Sequence, residues 1–115
     1  MSTDDLVRLR HMLDAAQEAI EFAKGRSRED LEAERMLNLS LVRLLEIIGE
    51  AARAISPSCC EAHQNIAWKK MVGMRDRMVH GYFDINLDIV WQTVTEDLPA
   101  LIAQLEEIIP REETQ

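Results

Sequence analysis

Aromatic residues are scarce, with one tyrosine, two phenylalanines and two tryptophans in 115 residues. Any core must therefore be built from Leu, Ile, Val, Ala and Met. Only three prolines and four glycines punctuate the chain, which leaves long stretches free of helix breakers. No apolar run approaches the roughly 20 residues that a membrane span needs. The opening residues Met1 to Asp5 are polar and acidic. They resemble neither a secretory signal nor an Arg-rich transit peptide, so a cytoplasmic location is expected. The two cysteines, Cys59 and Cys60, are adjacent. A disulfide between neighbours needs a strained eight-membered ring, and no C-x-x-C is present, so neither a disulfide framework nor a zinc site is indicated. They read as structural or incidental thiols. His11, His63 and His80 are too scattered to mark a metal site, and no cofactor is expected.

What the chain has in quantity is acid. The net charge is −8, which argues against broad nucleic-acid affinity through bulk electrostatics. Basic residues cluster in one place: Lys69, Lys70, Arg75 and Arg77 against Asp76 alone. An anionic ligand belongs on that island. Its lack of stacking aromatics argues against a general nucleic-acid-binding protein.

Hydrophobic spacing is helical throughout, with no strand alternation and no internal repeat. At this length residues 1–115 are expected to form one domain. Leu6, Leu9, Leu13, Ala16, Ile20 and Ala23 step by three and four, the spacing of one helix face. Ser2 or Thr3 can cap its start and Gly25 ends it. Ser27 and Asp30 resemble a capping box, which predicts a second, central helix from about Arg28 to Ile55. Its seam is Leu37, Leu41, Leu44, Ile48, Ala51 and Ile55. The Ser56-Pro57-Ser58 run breaks the chain, and residues 59–65 read as a loop or as a short helix after Pro57. A third helix is expected over about Ile66 to His80, stopped by Gly81. Asn86 can cap a fourth, with seam Leu87, Val90, Val94, Leu98, Leu101, Leu105 and Ile108. Pro99 falls inside that pattern, which predicts a kink or break near residues 96–98 and a restart at Thr95 or Asp97. The tail from Pro110 is expected to fray. These elements make an all-α fold, an antiparallel bundle of four to five helices. A bundle this small leaves apolar surface uncovered, and a homodimer is the simplest remedy.

The octet R-D-R-M-V-H-G-Y over residues 75–82 carries the functional signal. It holds an R-x4-H spacing and the chain's only tyrosine. On a helical wheel Arg75 falls in the middle of an apolar arc made by Ala67, Trp68, Met71, Val72, Met74, Met78 and Val79, so its guanidinium must find a partner. Glu46 and Glu50 on the second helix are candidates. Asp76 and His80 are neighbours at i,i+4. Arg75 and His80 diverge by roughly 140°. Convergence needs a helix that loosens at Gly81, an arginine that curls round, or completion across a dimer axis. Bland readings stand beside these. Arg75 can be an interhelical ion pair, His80 a C-terminal cap favoured by the helix dipole, the methionine stripe simple packing, and Tyr82 an ordinary loop aromatic.

The octet followed by Phe83 and D-I-N-L-D-I-V-W at 84–91 resembles the signature of the HepT proteins, a branch of the HEPN superfamily. I-I-G-E-A-A-R at 47–53 is similar to that family's second-helix segment, and E-D-L-P-A-L at 96–101 to its C-terminal helix. The resemblance implies a helical bundle that dimerises, bringing two Arg–His motifs into a shared cleft. It implies a metal-independent endoribonuclease toxin partnered by an MntA-type nucleotidyltransferase antitoxin. Arg75 and His80 would be the catalytic pair with Asp76 in support, and Tyr82 the tyrosine that receives AMP and silences the toxin. Many relatives carry Asn where Asp76 stands, and a carboxylate there adds negative charge beside the phosphate. Met74 and Arg77 match no functional position. The alternative reading is a non-catalytic dimer that binds a nucleotidyltransferase or a nucleotide.

Overall fold

The computed structural model describes residues 2–81 and 84–113, with side chains described up to residue 110. All regular elements among the described residues are helical: α1 Thr3–Ala23, α2 Asp30–Ala33, α3 Arg35–Ala54, α4 Pro57–Ala62, α5 Trp68–His80, α6 Leu87–Gln92 and α7 Leu98–Glu113, with a π-helical turn over Thr93–Asp97 between the last two. The long helices form an antiparallel bundle in the lateral order α5, α3, α1, α7.

Local chemistry sets most of the ends. The Ser2 hydroxyl accepts from the Asp5 N–H at 3.1 Å and caps α1. Gly25, at φ +74°, turns the chain out of it in a conformation that favours glycine. Ser56 caps α4 with Pro57 in the first turn, so the helical reading of residues 59–62 is the one that holds. The Asn86 side chain accepts from the Asp88 and Ile89 N–H groups at the start of α6. The helix α5 begins at Trp68 rather than Ile66; the Trp68 N–H bonds to the Ile66 carbonyl at 2.9 Å, and its indole N–H donates to the His63 carbonyl at 3.0 Å.

Three expectations need correction. The predicted helix over Arg28–Ile55 is broken at Glu34, whose backbone is extended (φ −118°, ψ 98°). On an unbroken helix Leu31 would sit roughly 120° from the middle of the α3 seam. The break re-phases the chain, so Leu31 is buried at 1% exposure with the rest of the core. Asn38 Nδ2 donates to the stranded Leu31 carbonyl at 3.2 Å, and Glu34 pairs with Arg26. The second correction concerns Pro99. Of the kink or break expected near residues 96–98, the structure shows a local irregularity and no break: the π-helical turn over Thr93–Asp97. A wide turn absorbs the missing donor and the clash with the preceding carbonyl, and the Leu98 N–H bonds five residues back to Thr93. Neither Thr95 nor Asp97 restarts the helix; the Thr93 and Thr95 hydroxyls bond back to the Ile89 and Trp91 carbonyls at 2.7 and 2.8 Å. Finally, α7 continues past Pro110 to Glu113.

The core runs the length of the bundle. Leu9, Met12, Ala16 and Ala19 from α1 meet Leu41, Leu45 and Ile48 from α3, Met71, Met74 and Met78 from α5, and the seam Val90, Val94, Leu98, Leu101, Leu105 and Ile108. Leu41, Leu45 and Ile48 are fully buried, each stabilising the fold by about 1.5–3 kcal/mol of apolar burial. One polar staple crosses the packing. The buried Asp5 carboxylate accepts from the Ser56 N–H at 2.8 Å and the Ser56 hydroxyl at 2.6 Å, which ties α1 to the α3–α4 corner.

Candidate active site

The site is assembled on α5, where it crosses α3. The crossing is close because α3 has a glycine at the contact. A Cβ at Gly49 would stand 2.0 Å from the Arg75 Cβ and 2.8 Å from the Met71 carbonyl oxygen. Gly49 therefore lets the two helices approach and seats the arginine stem against the backbone of α3. The stem is covered while the head reaches the rim, leaving the Arg75 side chain 20% exposed.

The guanidinium has two carboxylate neighbours. Its Nη1 donates to Asp76 Oδ1 at 3.1 Å, and its Nη2 lies 3.9 Å from Glu50 Oε1. Glu46, the other carboxylate considered from sequence, is taken by Arg43 at 3.1 Å, and Arg43 also reaches Glu50 at 3.7 Å. Arg75 Nε is buried with no hydrogen-bond partner among the described residues. A buried donor left unbonded is expensive, so the arginine is only partly satisfied by the described residues.

His80 is the last residue of α5 and is exposed. The helix keeps its hydrogen bonding to the end, with the Gly81 N–H bonded to the Arg77 carbonyl at 2.9 Å. The loosening considered at Gly81 is therefore absent. No hydrogen bond joins His80 to Asp76, whose carboxylate turns to Arg75 instead. The structure thus brings together Arg75, Asp76 and Glu50 and leaves His80 to the side. Tyr82 lies outside the described residues. Among the described residues no three His, Cys, Asp or Glu side chains converge as metal ligands would, and no helix is long and apolar enough to cross a membrane.

Two features escaped the sequence reading. Gly49 sat inside a quoted motif with no role, although a glycine within a strongly apolar helix seam is a signal of close approach. Arg77 was set aside, although its i,i+3 spacing to His80 places the two side by side on α5.

The sequence that folds into this bundle matches a known family. Residues 12–108 match the family described as Ribonuclease HepT-like, and the chain belongs to it. Among the relatives, a "Putative RNase" of Caldanaerobacter subterraneus subsp. tengcongensis is 39% identical over 104 residues, covering 90% of this chain and 93% of its own. A "Putative RNase" of Methanocaldococcus jannaschii is 37% identical, covering 83% and 87%. A "Probable ribonuclease HepT" of Thermococcus cleftensis is 35% identical, covering 84% and 91%. No solved structure is a significant match for this chain.

Proposed function

We propose that this chain is the toxin of a HepT/MntA-type pair, a ribonuclease that cuts RNA without a metal and works as a homodimer. The observation that carries the reading is Arg75, held in the α3–α5 crossing by Gly49 with its Nε unbonded. A planar fork positioned at a rim suits the non-bridging oxygens of a phosphodiester. In the proposed reaction the ribose 2′-oxygen forms a bond to the adjacent phosphorus and the bond to the 5′-oxygen breaks. An imidazole, which titrates near neutrality, takes the 2′-hydroxyl proton, and a second acid protonates the departing 5′-oxygen. The products are a 2′,3′-cyclic phosphate and a 5′-hydroxyl. Arg75 stabilises the charge that grows on the non-bridging oxygens, and Asp76 holds the fork in place.

One chain does not bring Arg75 and His80 together, and the regular end of α5 removes one route to convergence. A second copy supplies the missing groups. Leu39, Arg43, Glu46 and Glu50 form one stripe at helical spacing along α3, leading to Arg75. At its far end Leu39 and Met36 are 52% and 83% exposed. Two such stripes facing each other would cover this apolar pair and bring two Arg–His motifs to one cleft. AMP transfer to Tyr82 by a nucleotidyltransferase would add an anion two residues from His80 and exclude RNA by bulk and charge.

The test is RNA cleavage by the purified chain in EDTA beside Arg75→Ala and His80→Ala. The proposal expects wild type to yield cyclic phosphate ends and both variants to fall by about 10²-fold or more. Equal cleavage by all three, or none by wild type, refutes it. The second outcome would favour the non-catalytic dimer, for which the Arg75–Asp76 pair is an ordinary structural contact.

A further inference from the structure

The helix α5 divides the basic island in two. Arg77 sits roughly 200° from Arg75 on the helix, so it faces away from α3 and toward α6. There a cavity of about 320 Å³ opens between α5 and the α6–π-turn segment, lined by Lys69, Lys70, Gly73, Arg77, Thr93 and Asp97 among others. A second cavity of about 210 Å³ continues from it, sharing Arg77 and Ile89 and ending at Gly81. Together they form one groove along α5 that finishes at Gly81, the residue after His80, with Asp84 in its wall. Lys70, Gly73 and Arg77 make its floor at i,i+3,i+7, and His80 extends the line by one more i,i+3 step.

The groove is cationic in a chain whose net charge is −8. Lys70 is held by Asp97 at 3.1 Å. Lys69 and Arg77 are exposed, and no described residue pairs with either. Three cations against two carboxylates, Asp97 at one end and Asp84 at the other, leave the groove with a small positive excess. Gly73 keeps it open: a Cβ there would meet nothing within 4 Å. Lys70 and Arg77 are about 10 Å apart along the axis at 1.5 Å per residue. Strand charges recur every 3.4 Å or so in a duplex, so the groove spans more than one phosphate.

We infer that this groove holds the RNA strand flanking the bond to be cut, with Lys69 and Arg77 neutralising phosphates beyond the one that Arg75 and His80 address. The inference rests on the ribonuclease reading and deepens it. Arg75 works at the scissile group, and the opposite side of the same helix holds the strand in register. An acidic protein surface could also meet these cations. The concave floor and the row of cations along one helix, running toward the end of α5 that carries His80, favour a linear polyanion.

The experiment measures binding rather than cleavage. Two 2′-O-methyl oligonucleotides, which cannot be cut, are titrated by fluorescence anisotropy in EDTA over a range of salt. One has two nucleotides and the other ten. The full chain is compared with Lys69→Gln/Arg77→Gln and Gly73→Leu. Wild type should bind the ten-mer more tightly than the two-mer. The double variant should lose about tenfold of that advantage, and its slope of log K on log salt should drop by roughly 1.4, two charges at about 0.7 each for a single strand. Gly73→Leu fills the groove while improving helix propensity, so a matching loss cannot come from unfolding. Wild-type affinity and slope in both groove variants overturn the inference, as does a wild type with no preference for length or groove variants that lose only an acidic protein partner. Cleavage of unmodified ten-mer is scored separately. Groove-dependent binding without cutting would end the nuclease reading and leave the groove an RNA site.

Discussion

Replacing Gly49 by alanine sets two effects of known sign against each other. By helix propensity alone the change stabilises α3, by about 0.8–1 kcal/mol. The structure reverses this. The new methyl would stand 2.0 Å from Arg75 Cβ, 2.9 Å from Arg75 Cγ and 2.8 Å from the Met71 carbonyl oxygen. Carbon atoms rest at about 3.5–4.0 Å, so α3 and α5 must part by roughly 1.5 Å. The blocking atoms are a backbone oxygen and the base of a side chain, which a rotamer change cannot move away. Overpacking of this severity belongs near the top of the range of about 1–3 kcal/mol. The net expectation is a loss of about 1–2 kcal/mol. For a chain of this length that is a Tm lower by roughly 5–10 °C, read by circular dichroism at one protein concentration. RNA cleavage should fall further than stability does, because a shift of about 1 Å at a positioned group can cost roughly 10²-fold. A Gly49→Ala protein more stable than wild type, with cleavage intact, would refute the close crossing and the positioning of Arg75 that follows from it.

Three further outcomes are expected. Burial alone would raise the Asp5 carboxyl, but hydrogen bonds from Ser56 and Ser2 outweigh it and hold it below its ordinary value. The unfolded chain therefore binds the proton more readily. The stability this group contributes is complete above about pH 4 and is lost as pH falls through the folded value. Asp5→Ala should cost about 2–4 kcal/mol at pH 7, since two charge-assisted bonds go and the Ser56 N–H is left without its acceptor; acid titration of urea midpoints checks this, and an unchanged slope below pH 4 would count against it. Leu39→Lys should convert a dimer to a monomer in sedimentation with helicity unchanged, because the side chain is already half exposed; an unshifted sedimentation coefficient places the interface elsewhere. Co-expression with a cognate nucleotidyltransferase should add mass in AMP units that Tyr82→Phe abolishes, and mass retained in that variant would move the modification to another residue.

The ends of the helices were legible because a cap needs only residues within one turn. Ser2 and Asn86, both read as caps, each bond to an N–H two or three positions on, and no distant part of the chain decides that. The buried seams were legible for the same reason, since periodicity is local. From these alone the sequence determined an all-helical bundle, the position of its central seam and the presence of the Arg75 to His80 motif on one helix. What it left undetermined lies in contacts between distant residues. The break at Glu34 depends on where Leu31 must go to join a core built mostly by other helices. The staple joins Asp5 to Ser56 across 51 positions. Gly49 acquires its meaning only from α5 lying against it. The clearest case is the basic island, which reads as one cluster in sequence. Helix geometry alone sets Arg75 and Arg77 on opposite sides, but only tertiary structure gives those sides their neighbours: Gly49 and Glu50 of α3 beside Arg75, and the cavity toward α6 beside Arg77.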